Sequence, residues 1–163
     1  MGSHVSRDAR AVLDSIRRIV RLLRQSASEA EQRTGLSAAQ LFVLQQLRTA
    51  GGALTPGELA HRTLTHQSSV SAVVRRLVDA GLVSRARSST DGRRVELALT
   101  SAGRAAARRA PRLAQERLIS AVDRLSPEHR RGLASGLVQL VQRLGIGNAA
   151  PPMFFEERGG RAK

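Results

Sequence analysis

Gln67, Ser68, Ser71, Arg75 and Arg76 are polar residues at helical spacing whose types could recognise a charged, patterned surface. Val70, Val73, Val74, Leu77 and Val78 supply the apolar side between them, so the polar set projects from an amphipathic helix that stops at Gly81. Small hydroxyls permit close approach and arginine forks onto guanine O6 and N7, which is how a helix reads the major groove of duplex DNA. A second cationic group, Asp91-Gly92-Arg93-Arg94, stands at the turn between two strand-like segments. Arginine there could enter an adjacent minor groove, with the Asp91 carboxylate placed to orient the Arg93 guanidinium. The same four residues would serve as well for an Asp-Gly turn with solvated arginines.

The charge balance agrees with a polyanionic partner. The 163 residues hold 27 Lys+Arg against 13 Asp+Glu, a net +14, and every base except Lys163 is arginine. Binding a polyanion releases condensed counterions, a gain that a neutral substrate cannot offer. A solvated basic surface, an anionic membrane patch or a general bias toward arginine would give the same sum. Aromatic residues make up 2% of the chain, Phe42, Phe154 and Phe155, too few to stack single-stranded bases, so double-stranded DNA is favoured.

Other chemistries lack their residues. The chain has no cysteine, which excludes disulfides, thiolate metal sites, iron–sulfur clusters and a cysteine nucleophile or peroxide sensor. It has no G-x-S-x-G, H-E-x-x-H or phosphate-loop motif, and its adjacent carboxylates are Glu156-Glu157 near the end, so no enzyme is expected. His61, His66 and His129 share no ligand spacing with a carboxylate, and neither metal nor cofactor is expected. Residues 1–4 read as a cloning remnant, which removes His4 from consideration. With no apolar run of about 18 residues and no signal peptide, a cytoplasmic protein with no membrane partner is expected.

The elements that must position these groups follow from periodicity. Val12, Ile16, Ile19 and Leu23, widened by Leu13 and Val20, form the apolar stripe of a long helix over about residues 7–31, closed by Thr34-Gly35. Ser37-Ala38-Ala39-Gln40 is a capping-box start for a helix with Leu41, Leu44 and Leu47 toward a core, broken at Gly51-Gly52. Thr55-Pro56-Gly57-Glu58 starts a short helix, and the helix described above follows His66. Val83 to Arg87 and the alternating Val95, Leu97 and Leu99 predict a hairpin. Helical pattern resumes at Thr100 or Ser101 and runs to about Leu125, with Pro111 expected to kink or break it. Ser126-Pro127-Glu128 begins a last helix with Leu133, Leu137, Leu140 and Leu144 along one side, ending at Gly145.

This order predicts a mainly α fold with a small β-hairpin: a winged helix-turn-helix DNA-binding lobe over 36–100, flanked by long N- and C-terminal dimerisation helices over 5–34 and 101–145. Residues 146–163 are expected to be a flexible tail in which Phe154-Phe155 could dock. The outer apolar stripes are too long for one lobe to cover, which calls for a homodimer on a palindrome; an intramolecular helical bundle is the other reading.

The stretch Ser68-Ser69-Val70-Ser71-Ala72-Val73-Val74-Arg75-Arg76-Leu77-Val78-Asp79-Ala80-Gly81-Leu82-Val83, followed by Asp91-Gly92-Arg93-Arg94-Val95-Glu96-Leu97-Ala98-Leu99-Thr100-Ser101-Ala102-Gly103, resembles the multiple-antibiotic-resistance regulator (MarR) family of transcription factors. The D-x-R wing running into L-T-x-x-G is specific in combination, and the likeness spans about residues 7–144. It implies a homodimer on a pseudo-palindromic operator, acting as a repressor or less often an activator. It also implies that Ser68, Ser69 and Ser71 face bases or nearby phosphates. Arg75 and Arg76 hold the backbone or the lobe, and Arg93 enters the minor groove steered by Asp91. His66 and Gln67, which the family pattern does not fix, become candidates for operator-specific reading. Many members answer to small anionic or phenolic effectors, and Arg104, Arg108, Arg109 and Arg112 could meet one. The rival reading is a non-specific architectural duplex-DNA-binding protein.

Overall fold

The structure is a computed structural model that describes residues 6–88, 93–147 and 150–155. Its elements are α1 (Arg7–Thr34), α2 (Ala38–Ala50), α3 (Pro56–Arg62), α4 (Gln67–Asp79), β1 (Val83–Arg87), β2 (Val95–Leu99), α5 (Ser101–Arg109), α6 (Ala114–Asp123) and α7 (Pro127–Arg143). The helix-rich winged arrangement expected from the sequence is present.

Helix α2 is the hub. It packs against α1, α3, α4, α5 and β2, and Phe42 and Val43 are as deeply buried as the Leu41, Leu44 and Leu47 stripe read from the sequence. A helix enclosed by neighbours on several sides loses the polar face that marks a surface helix. Each fully buried Leu or Phe there contributes about 1.5–3 kcal/mol, so α2 anchors the lobe energetically as well as geometrically. Its start is the expected capping box: the Gln40 amide donates to Ser37 Oγ at 3.3 Å while Gln40 Oε1 accepts from the Ser37 amide at 2.9 Å. Gly51 ends it with φ +72°.

The hairpin pairs antiparallel in the register Val83 with Leu99, Arg85 with Leu97 and Arg87 with Val95. A further pairing was not legible in the sequence. Leu54 exchanges both backbone hydrogen bonds with Leu97, at 2.9 and 2.8 Å, so β2 is paired on both edges at that point and Leu97 is buried. A one-residue bridge has no periodicity to detect.

Pro111 breaks the helix rather than kinking it. Ala110 is extended, with ψ 133°, as a residue preceding proline favours, and the chain re-enters a helix only at Ala114. Both neighbours secure the break: Gln45 Nε2 donates to the Pro111 carbonyl at 3.2 Å, and the Ala114 amide donates to Ser26 Oγ at 2.9 Å.

Within the stretch expected to be a tail, residues 150–155 place Met153 in the core at 4% exposure. Burial of the Met153 side chain holds the short segment down, while Phe154 and Phe155 stay exposed. Along the outer helices the opposite holds. No residue of α7 is buried, and Leu137, Val138 and Leu144 stand open, as do Val12 and Leu13 of α1. No described helix is long and apolar enough to cross a membrane.

Candidate nucleic-acid interface

Helices α3 and α4 and the hairpin gather the candidate recognition residues on one lobe. The approach to α4 is closely hydrogen-bonded. The Thr55 amide and hydroxyl both donate to Glu58 Oε2, at 2.7 and 2.9 Å, and these bonds, the amide first, hold the Glu58 carboxyl below its ordinary range against a small opposing effect of desolvation. Arg94 and Arg62 act in the same direction. Thr63 is buried and donates to the Leu59 carbonyl at 2.9 Å. Leu64 then reverses the chain with φ +51°, a left-handed conformation that a leucine adopts at some cost.

Helix α4 sits on the lobe by Val70, Val73, Val74 and Leu77, all buried. That leaves His66, Gln67, Ser68, Ser71 and Arg75 exposed and Arg76 half-buried. Ser71 donates to the Gln67 carbonyl at 2.8 Å, which parks its hydroxyl along the helix with its lone pairs outward. Ser69 is placed otherwise than the resemblance implied: its side chain is buried and its hydroxyl donates to the Pro151 carbonyl at 2.9 Å. It lies at the flank of α4, where the 150–155 segment covers it.

The start of α4 is distinctive electrostatically. Hydroxyls meet the first turns of α1 (Ser6), α2 (Ser37), α3 (Thr55), α5 (Thr100), α6 (Ser26) and α7 (Ser126). At α4 the N-cap is His66, which makes no side-chain capping bond, and the first turn carries no acid. Its amide groups and the positive end of its dipole are thereby left for an external anion such as a phosphate.

In the wing, Arg93 and Arg94 are exposed; Asp91 and Gly92 lie outside the described residues, and with them the steering of Arg93. Sequence reasoning passed over Arg85 and Arg87 of β1. Both are exposed, and neither they nor Arg75 and Arg76 form an ion pair among the described residues. Arg85 lines a cavity of about 280 Å³ together with Ser71, Arg75, Val74 and Leu97 and the carboxylate of Asp79, so wing and helix share one polar surface on which the arginines outnumber the acid. The signal was available: Arg85 and Arg87 share a strand face with Val83, yet no apolar residue follows them on it.

This arrangement, an open-ended polar helix beside an arginine-bearing hairpin, fits duplex DNA in charge and shape. Known proteins agree. The MarR family model matches residues 34–94, which span the α2–α4 core and much of the wing. An uncharacterized HTH-type transcriptional regulator of Mycobacterium leprae is 32% identical over 137 residues, covering 82% of this chain and 94% of the relative. An HTH-type transcriptional repressor of Mycobacterium tuberculosis is 36% identical over 93 residues, 57% of this chain and 66% of the relative. Among solved structures, BpsR of Bordetella bronchiseptica, whose DNA binding is regulated by 6-hydroxynicotinic acid, superposes with a TM-score of 0.55 at 26% identity, covering 91% of this chain and all of that one. A probable transcriptional regulator from Pseudomonas aeruginosa gives a TM-score of 0.52 at 30% identity over 79% of this chain and 98% of its own. The chain belongs to the MarR family of transcriptional regulators.

Proposed function

We propose that two copies of this chain act as a repressor, gripping a pseudo-palindromic duplex operator with one α4 in each of two successive major-groove turns. The observation that carries the reading is the uncapped start of α4, with His66, Gln67, Ser68 and Ser71 exposed around it. In this reading His66 and Gln67 meet base edges and Ser68 and Ser71 meet bases or phosphates. Arg75 and Arg76, joined by Arg85 and Arg87, hold the backbone. Arg93 enters the minor groove under the steering of Asp91, and Arg94 supports it. The exposed stripes of α1 and α7 support pairing, since apolar faces of that length cost less when another copy covers them.

Release by a small anionic or aromatic molecule belongs to the same proposal. A cavity of about 520 Å³ between α1 and α6 has Ile19, Leu22, Leu23 and Leu118 as its apolar wall and Arg112, Arg117 and Arg124 as cations without an ion pair among the described residues. An aromatic carboxylate matches both halves of that lining, and the Bordetella relative answers to such an acid. Of the arginines named from sequence, Arg112 lies there and Arg104 lines a separate, smaller cavity.

Selection of bound duplexes from a random pool tests the function. The expected winners carry inverted half-sites about 10 bp apart centre to centre. A pool that emerges with no shared sequence would replace this reading by that of an architectural DNA protein.

A further inference from the structure

Residues 150–155 bridge two parts of the fold that a DNA-binding regulator has reason to couple. At one end the Pro151 carbonyl accepts the Ser69 hydroxyl at 2.9 Å, in the first turn of α4. In the middle Met153 is inserted in the core at 4% exposure. At the other end Phe154 forms one wall of an open cavity of about 240 Å³, whose other walls are Thr63 and Leu64 of the α3–α4 turn and Leu118, Ile119 and Val122 of α6, with Asp123 at its edge. Pro151 and Pro152 restrict the free segment to extended conformations, which lowers the entropy lost when it docks.

The segment holds little surface for its contacts. Phe154 is 50% exposed and Leu64, beside it, 68%, so the seat is partly open there, and release of the segment would uncover one core side chain, that of Met153. Ser69 is the only serine of the Ser68, Ser69 and Ser71 set whose hydroxyl this segment takes; its neighbours on α4 remain exposed.

We propose that residues 150–155 are an intrachain ligand of α4: docked, they fasten it to α6 and withhold the Ser69 flank from DNA; released, they free that hydroxyl to donate to a phosphate. The inference rests on α4 being the DNA-facing helix. It makes Met153 and Phe154 the apolar anchors.

The test uses the full chain carrying Met153→Asp with Phe154→Asp, which places charge in an apolar seat. Backbone hydrogen exchange over residues 63–70 is expected to accelerate tenfold or more, an order-of-magnitude figure for losing one anchoring contact set. Affinity for the selected duplex is expected to rise about three- to tenfold, the worth of one hydrogen bond gained. In a Ser69→Ala background the same pair of changes should bring no such rise. Phe154→Asp alone, at a half-exposed ring, repeats the test with smaller amplitude if the double change impairs folding. Unchanged exchange with normal duplex binding contradicts the docked segment. Weaker duplex binding, or an equal rise without Ser69, contradicts the withholding of that flank. Faster exchange in a chain that binds no duplex in any form contradicts the DNA reading of α4 and leaves the docking intact.

Discussion

Gly103 and Leu82 meet backbone to backbone: a β-carbon on Gly103 would overlap the Leu82 carbonyl oxygen. That carbonyl also accepts from the Thr100 amide at 3.1 Å, while the Thr100 hydroxyl donates to the Gly81 carbonyl at 2.8 Å and accepts from the Gly103 amide at 3.0 Å. One threonine and one glycine thereby tie the end of α4, the exit of the wing and the start of α5 together. Because the obstructing atom is backbone, Gly103→Ala should destabilise the chain by about 1–3 kcal/mol, the usual cost of overpacking. Urea denaturation measures it, and a change within about 0.5 kcal/mol would show that the junction gives way easily.

Arginines of the two kinds should separate by their salt dependence. Arg93→Ala is expected to weaken operator binding by about 1–3 kcal/mol and relax selectivity at the base steps under the wing. Arg85→Ala should weaken selected and scrambled duplexes alike and lower the salt slope by about one. Fluorescence anisotropy titrations across salt concentrations distinguish the two, and an Arg93→Ala chain with unaltered affinity and footprint would remove the wing from the minor groove.

His66 and Gln67 are exposed at the open end of α4 and contribute nothing to its core face. His66→Ala and Gln67→Ala should keep the urea midpoint of the parent and shift the bases chosen in a binding-site selection. Identical selected sequences from parent and variants would assign operator reading elsewhere.

Two carboxyls give opposite pH dependences. Glu58 is held below its ordinary range by the Thr55 amide and then its hydroxyl, so its contribution is present above the unfolded carboxylate value and is lost as pH falls through the folded value. Glu116 is raised by burial, so its contribution is present below the unfolded value and is lost as pH rises through the folded one. Glu58→Gln should therefore lose less stability on acidification than the parent, and Glu116→Gln should lose less between acid and neutral pH. Urea midpoints from about pH 3 to 7, bracketing the carboxylate range, check both. Parallel curves for all three chains would contradict the assignment.

Charge placed on the exposed stripe should abolish pairing without harming the lobe. Leu137→Arg lies on α7, none of whose residues is buried within one copy. Its light-scattering mass should be that of a single chain, with the circular dichroism of the parent. A variant that still runs as a pair would place the self-contact on another surface.

The local chemistry of the fold was open to reading because it is local. Ser37 with Gln40, Thr55 with Glu58, and the left-handed Gly35, Gly51, Gly81 and Gly145 mark element ends with residues whose reasons lie within three or four positions. The exposed face of α4 was legible where amphipathic spacing set it, at Gln67, Ser68, Ser71 and Arg75. It was not legible at Ser69, whose partner stands 82 residues away, nor at Leu54, whose pairing is a single bridge. Met153 and Phe154 read as tail because proline and glycine around them carry no periodicity, and only the assembled cleft shows where they fit.

The central claim is that a pair of chains reads duplex sequence through α4 and the wing. Sedimentation of the chain with the selected duplex, and with a scrambled duplex of equal composition, tests it most directly. Two chains per selected duplex, with an affinity about a thousandfold or more above that for the scrambled one, is the expected result. One chain per duplex, or equal affinities for both sequences, would contradict it.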